Sequence, residues 1–180
     1  MVIGCGGGDA VRAELRTALS QAARLIVDAD ALNAIAGDAQ LQQLLTARGR
    51  RTDRPTVMTP HPLEAARLLA CATAQVQSDR LLAARELALR FGCVVVLKGS
   101  GTVVAGPQEL PVINPTGNAL LATGGTGDVL AGMMGARLAA GESAWQSANS
   151  AVYLHGQRAD RWPEGRPFSA SQLARGSSGG

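Results

Sequence analysis

A chain of 180 residues with 46% hydrophobic content has room for one domain with a substantial core and little for a second. Aromatic residues make up only 3%, so the core must be built from Ala, Val, Leu and Ile, and the lack of base-stacking material argues against a single-stranded nucleic-acid binder. The net charge of +3 is modest, three cysteines without a CxxC pair disfavour a disulfide framework or a structural zinc site, and no apolar run reaches about 18 residues, so a soluble, cytoplasmic protein is expected.

In chain order, Met1-Val-Ile stops at the glycine run Gly4-Cys-Gly-Gly-Gly8, and Asp9 is placed to cap a helix carrying Val11, Leu15, Ala18, Leu19 and Ala22 on one face. Strand, glycine turn and helix open a phosphate-binding α/β unit. The dinucleotide fingerprint is imperfect, because Asp9 stands where its third glycine belongs, and the very short first strand leads us to expect a missing portion in front. Leu25-Ile-Val-Asp28 is a buried-type strand whose end, Asp28-Ala-Asp30, falls where open α/β sheets bind ligands. Asp28 is a candidate for a substrate hydroxyl or a magnesium-bound water, while Asp30 is either a second functional carboxylate or the N-cap of a short helix. Arg48, Arg50, Arg51 and Arg54 fall in a predicted loop between a helix and a strand and are expected to be solvated.

Pro55-Thr-Val-Met58 is the next strand, followed by Thr59-Pro-His-Pro-Leu-Glu64, in which Pro62 suits the first helical position and Glu64 its first turn. His61, held between two prolines at a strand-to-helix edge, is a candidate ligand contact. Ser78 to Phe91 reads as a helix with Leu81, Leu82, Arg85 and Leu89 on its inward face and Gly92 as its stop. The apolar strand Cys93-Val-Val-Val-Leu97 delivers Lys98-Gly-Ser-Gly-Thr102, a turn suited to phosphate although the P-loop spacing is absent. All but one of the 17 basic residues are arginine; Lys98 alone is a compact point charge, which marks it for a site. Two short antiparallel strands, 102–105 and 110–113, lead into Asn114.

Asn114-Pro-Thr-Gly-Asn118 and Ala122-Thr-Gly-Gly-Thr-Gly-Asp128 form the richest stretch, a glycine turn opening into a helix over 126–139. Its free N–H groups at the positive helix end suit phosphate or a developing anion, and Asp128 is either a capping charge or part of a phosphoryl site. Leu130, Met133, Met134 and Leu138 face inward, and a further helix from Ala144 to about Asp160 carries Ala148, Ala151, Val152 and a structural His155 on one side. From Pro163 the chain is expected to loosen, with residues 176–180 disordered. The alternation predicts a three-layer α/β domain over 1–162 with a mostly parallel sheet and a loose tail over 163–180.

These motifs, with Val27-Asp-Ala-Asp-Ala-Leu-Asn33, resemble the ADP/ATP-dependent NAD(P)H-hydrate dehydratases of the ribokinase-like superfamily, the C-terminal-type domain of the bifunctional NAD(P)H-hydrate repair enzymes. The resemblance implies a ribokinase-like α/β/α sandwich, N-terminally truncated, that dehydrates the S-epimer of hydrated NADH or NADPH. ADP or ATP would phosphorylate the ring hydroxyl, and phosphate elimination would restore the dihydronicotinamide. It implies Asp128 as the catalytic base; Gly8, His61 and Asp128 as hydrate contacts, joined by Asp28 and Asn118; Lys98, Gly99, Ser100, Gly101, Thr102 and Gly127 as nucleotide contacts; and Gly124, Gly125, Thr126 and Gly127 as the anion hole. Mg²⁺ is expected with the nucleotide, without a named protein ligand. A link to an NAD(P)H-hydrate epimerase and a homo-oligomeric state are expected, with no nucleic-acid or membrane partner. Two departures stand in the first glycine loop: Cys5 replaces the family's proline and Gly7 a usual leucine. With the front portion missing, the isolated chain is expected to be weakly active at best. The alternatives are a ribokinase-like small-alcohol kinase, such as a hydroxyethylthiazole kinase, which leaves the phosphate on its product, and a non-catalytic nucleotide-binding fragment.

Overall fold

The computed structural model describes residues 1–176, with the side chain of Asp9 excepted. The cap expected of Asp9 and the disorder expected of 177–180 lie outside the described residues. The sheet has six strands in chain order: β1 (Val2–Ile3), β2 (Leu25–Val27), β3 (Thr56–Met58), β4 (Val94–Leu97), β5 (Val103–Ala105) and β6 (Val112–Ile113). β1 to β4 are parallel, and β5 and β6 close the sheet antiparallel. Ile3 lies beside Val27 and Val27 beside Met58, while the Lys98 amide donates to the Pro60 carbonyl at 2.8 Å. This register brings the loops after β1, β2, β3 and β4 to one edge, as a parallel sheet must.

Period-two alternation divides the strands between two cores. Leu25, Val27, Met58, Val95, Leu97, Val103 and Ala105 face a large core, closed by α1 (Val11–Gln21), α2 (Ala29–Ala36), α3 (Ala39–Gly49), α4 (Pro62–Leu69), α5 (Thr73–Ser78) and α6 (Arg80–Phe91). Ile26, Val57, Val94, Val96 and Val104 face a smaller one under α7 (Thr126–Ala139) and α8 (Ala144–Asp160). Three layers result, as the alternation predicts.

The structure corrects three local expectations. α6 begins at Arg80, after the separate α5, and turns Ala83, Ala84, Leu87, Ala88 and Phe91 inward, leaving Leu81, Leu82, Arg85 and Leu89 at the surface. Both stripes obey helical spacing, and the alanine-rich one allows closer approach to the sheet. Arg48 is no solvated loop residue: it lies in the last turn of α3, buried, donating from Nε to Thr56 Oγ1 at 2.7 Å and from Nη1 to the Leu19 carbonyl at 3.2 Å. Finally, the tail is irregular over 163–169 but then forms α9 (Ala170–Arg175), whose Leu173 is fully buried and which packs on α7. Trp162 and Phe168 meet edge to face at 5.1 Å, so apolar contacts tie this segment down. No helix among the described residues is long and apolar enough to cross a membrane.

Candidate functional site

Asp28 leaves β2 into the interior of the sheet edge, with only 1% of its surface exposed. A carboxylate so buried must be paired and hydrogen-bonded. Its Oδ1 accepts from Thr59 Oγ1 at 2.6 Å and from Lys98 Nζ at 2.7 Å, and the Cys5 thiol donates to Oδ2 at 3.6 Å. Asp28 also occupies the N-cap position of α2, without a side-chain cap bond, and Ala29 after it takes the left-handed φ of 41°. Asp30 is therefore not the cap: it lies in the first turn of α2, and its Oδ2 accepts the Gly8 amide at 2.8 Å, fastening the first glycine loop.

Asp128, exposed in the first turn of α7, completes this group. Ligand atoms of Cys5, Asp28 and Asp128 all lie within 4.8 Å of one another. Burial, then the charges of Asp28 and Asp128, push the Cys5 thiol up to about 12, so it remains an S–H donor. Gly7 suits its place, since a Cβ there would stand 2.0 Å from Val11 Cγ2. The donor set does not fit a resident Mg²⁺, which takes oxygen ligands: the thiol is soft and protonated, and Asp28 already holds an ammonium.

Beside this group lies a cavity of about 740 Å³, bounded by the 98–102 turn, the 114–122 segment and one side of α8. Asn114 Nδ2 donates to the Thr116 carbonyl at 2.8 Å, Thr116 Oγ1 to the Tyr153 carbonyl at 2.9 Å, and the Gly117 amide to Asp160 Oδ2 at 2.8 Å. Asn118 reaches the cavity wall but is engaged in the same fastening: its Oδ1 accepts from the Leu120 amide and its Nδ2 donates to the Ala159 carbonyl. His155, which also lines the cavity, has its pKa lowered by desolvation; as a neutral ring it donates from Nε2 to the Thr126 carbonyl at 2.9 Å. A shallower hollow of about 430 Å³ over α3 contains none of the expected site residues.

The opening of α7 carries the four residues expected to form an anion hole, Gly124 to Gly127. Thr126 uses its hydroxyl on the Leu121 and Thr123 carbonyls and its amide on Thr123, so it is a structural member. Among the described residues, the amides of Gly124, Gly125, Gly127 and Asp128 meet no protein acceptor. Lys98 Nζ lies 3.7 Å from where a Cβ on Gly127 would stand, and both residues line the cavity. Lys98 thus joins the cavity to the carboxylates. His61 stands at the wall with its polar atoms committed to α4: Nδ1 accepts the Leu63 and Glu64 amides at 3.2 and 3.3 Å, and Nε2 is 3.2 Å from Glu64 Oε1. Gly8 stays at the surface of the first loop, beside Asp30. The structure thus gathers Asp28, Asp128, Lys98, Gly127, the 98–102 turn, His61 and Asn118 at one sheet edge. Thr59 belongs to the same group, and its position at a strand end in line with Asp28 was the available signal.

A family model described as NAD(P)H-hydrate dehydratase matches residues 1–175. The chain is 43% identical over 177 residues to the ADP-dependent (S)-NAD(P)H-hydrate dehydratase of Neisseria meningitidis serogroup B, which covers 96% of this chain and 58% of that protein. It is 46% identical over 137 residues to the bifunctional NAD(P)H-hydrate repair enzyme Nnr of Escherichia coli, covering 76% of this chain and 24% of that one. Among solved structures, the ADP/ATP-dependent NAD(P)H-hydrate dehydratase of Bacillus subtilis, co-crystallised with ATP/Mg²⁺, superposes with a TM-score of 0.79 at 32% identity, covering 97% of this chain and 60% of that chain. A ribokinase-like superfamily protein of Enterococcus faecalis gives 0.78 at 26% identity, covering 97% and 59%. The three-layer architecture is therefore ribokinase-like, and the chain spans 58% of the length of its Neisseria relative.

Proposed function

Because the chain belongs to the NAD(P)H-hydrate dehydratase family, we propose that it serves the repair of hydrated NADH and NADPH, using ADP or ATP as phosphoryl donor. The observation that carries this reading is the placement of Asp128 with Asp28 on one side of Lys98 and Gly127, and of a phosphate-suited turn on the other. A nucleotide in the cavity would point its terminal phosphate at Gly127, and a hydrate on the carboxylate side would bring its ring hydroxyl to Asp128. Asp128 takes the hydroxyl proton as the new O–P bond forms and the bond to the departing nucleotide breaks. Free amides at Gly124, Gly125 and Gly127 hold the charge on the phosphoryl oxygens, being already oriented by the helix. In the second step the ring C–O bond breaks and inorganic phosphate leaves with its electron pair. The adjacent ring carbon gives up a proton to the departing phosphate or to solvent, and the ring double bond of the dihydronicotinamide re-forms. Lys98, fixed by Asp28, presents one charge at the crossing point; Asp28 itself is a positioning group. Mg²⁺ is assigned no residue here and belongs with the phosphate oxygens of the nucleotide. The same reading includes a supply of the S-epimer by an epimerase, a homo-oligomeric assembly and a cytoplasmic setting.

Hydrated NADH, ADP or ATP and the purified chain provide the test. Slow release of free phosphate together with recovered NADH absorbance is expected; a stable phosphomonoester would identify a small-alcohol kinase instead. Asp128→Asn should lower turnover by roughly 10²–10⁴-fold while nucleotide affinity is kept. Unchanged turnover in that variant would remove Asp128 from the mechanism.

A further inference from the structure

Arg80 is the first residue of α6, where the helix dipole disfavours a cation, and the capping there is done by Asp79, which accepts the Leu82 amide at 2.9 Å. The reason for a cation lies across the gap to β4. Arg80 Nη2 donates to the carbonyls of Leu97 at 3.1 Å, Lys98 at 3.3 Å and Gly101 at 3.4 Å. Gly99 takes a φ of +137°, and a Cβ on it would stand 2.5 Å from Arg80 Nη1, so the turn is wrapped closely around the guanidinium. Carbonyls drawn to one side leave amides on the other. Among the described residues, the amides of Gly99, Ser100 and Gly101 meet no protein acceptor, and all three residues border the cavity.

We propose that Arg80 is a positioning residue for anion binding: it gathers the carbonyls of Leu97, Lys98 and Gly101 so that the amides of Gly99, Ser100 and Gly101 form an oxyanion cradle. Only the identity of the anion, a nucleotide phosphate, rests on the proposed function. A planar, branched, permanently charged donor suits the task, because several carbonyls must be held from one point beneath the turn. Burial lowers the Arg80 pKa, in keeping with a guanidinium withdrawn from water into the fold.

Calorimetric titration of the wild-type chain, Arg80→Ala and Arg80→Lys with ADP and with adenosine tests this. Arg80→Ala should bind ADP about tenfold more weakly while binding adenosine as the wild type does, and added guanidinium ion should restore its ADP affinity. Arg80→Lys should fall between the two. In the hydrate assay the loss should fall on KM for ADP, with kcat retained. Equal weakening for ADP and adenosine, unchanged ADP affinity, or no ADP binding by the wild type overturns the proposal. Should the variants fail to fold, an amide correlation spectrum of the wild type decides: signals of Gly99, Ser100 and Gly101 that move with added pyrophosphate support the cradle, and signals that stay still overturn it. A wild-type chain that binds ADP through these amides yet turns the hydrate into a stable phosphomonoester sinks the dehydratase reading and leaves the role of Arg80 standing.

Discussion

Lys98 is the single lysine among arginines, and its surroundings account for the choice. The ammonium lies between Asp28 and the backbone at Gly127, where a compact point charge can face both, as a planar guanidinium fork does less readily. Removing it leaves a buried carboxylate with only a hydroxyl and a thiol for company. Lys98→Met should therefore destabilise the chain by about 3 kcal/mol in urea unfolding, and adding Asp28→Asn should recover part of that loss. A double variant no more stable than Lys98→Met would show that the pair is not the cause. The candidates Asp28, Lys98 and Asp128 are legible in the sequence because strand ends and helix starts are where carboxylates and ammonium groups meet ligands. Their pairing is not legible, since Asp28 and Lys98 are 70 residues apart. Arg80 escapes sequence reasoning for another reason: its partners are backbone carbonyls, which carry no residue identity.

At the level of elements, the strands and most helices can be read from periodicity, and the errors arise where two stripes compete. α6 shows the cause: leucines at helical spacing look like a core face, yet alanines take the inner side because the helix lies close to β4 and β5. Close approach also governs how α8 meets the cavity. A Cβ on Gly156 would stand 2.2 Å from Thr116 Oγ1 and 2.6 Å from the Thr116 carbonyl carbon, so α8 and the 114–122 segment touch backbone to backbone. Gly156→Ala should cost about 2 kcal/mol of stability and weaken ADP binding by displacing that cavity wall. Denaturant midpoints and calorimetry check both parts, and an alanine variant equal to wild type in both would refute the contact. α4 carries a comparable lesson: the capping box of His61 and Glu64 could be read from spacing, but the commitment of both ring nitrogens to it could not.

For the molecule as a whole, acid sensitivity should follow from the buried ring that joins α8 to α7. His155 is held neutral in the fold, with its pKa below the ordinary 6.5, so the unfolded chain takes up a proton before the folded one does. Stability from this source is complete above that value and declines as pH falls toward the lowered folded pKa. Urea midpoints should drop between about pH 7.5 and about pH 5.5, and His155→Gln should flatten that component; an unchanged slope would clear the histidine. The three-layer class was legible from alternation alone, whereas the unequal division of the core was not, because it depends on which side each crossover takes.

That division has a further consequence. Asp28, Lys98 and the 98–102 turn are rooted in the strands and the larger core, while Asp128, His155 and the free amides before Asp128 belong to the layer of α7 and α8 over the smaller one. Native-state hydrogen exchange is therefore expected to show α7 and α8 opening before the strands and the larger core, an opening that would take the carboxylate of Asp128 away from Lys98; equal protection of both layers would refute it. A ligand reaching both layers acts as a staple across the seam, so its binding energy is returned as protection of α7 and α8 against hydrogen exchange.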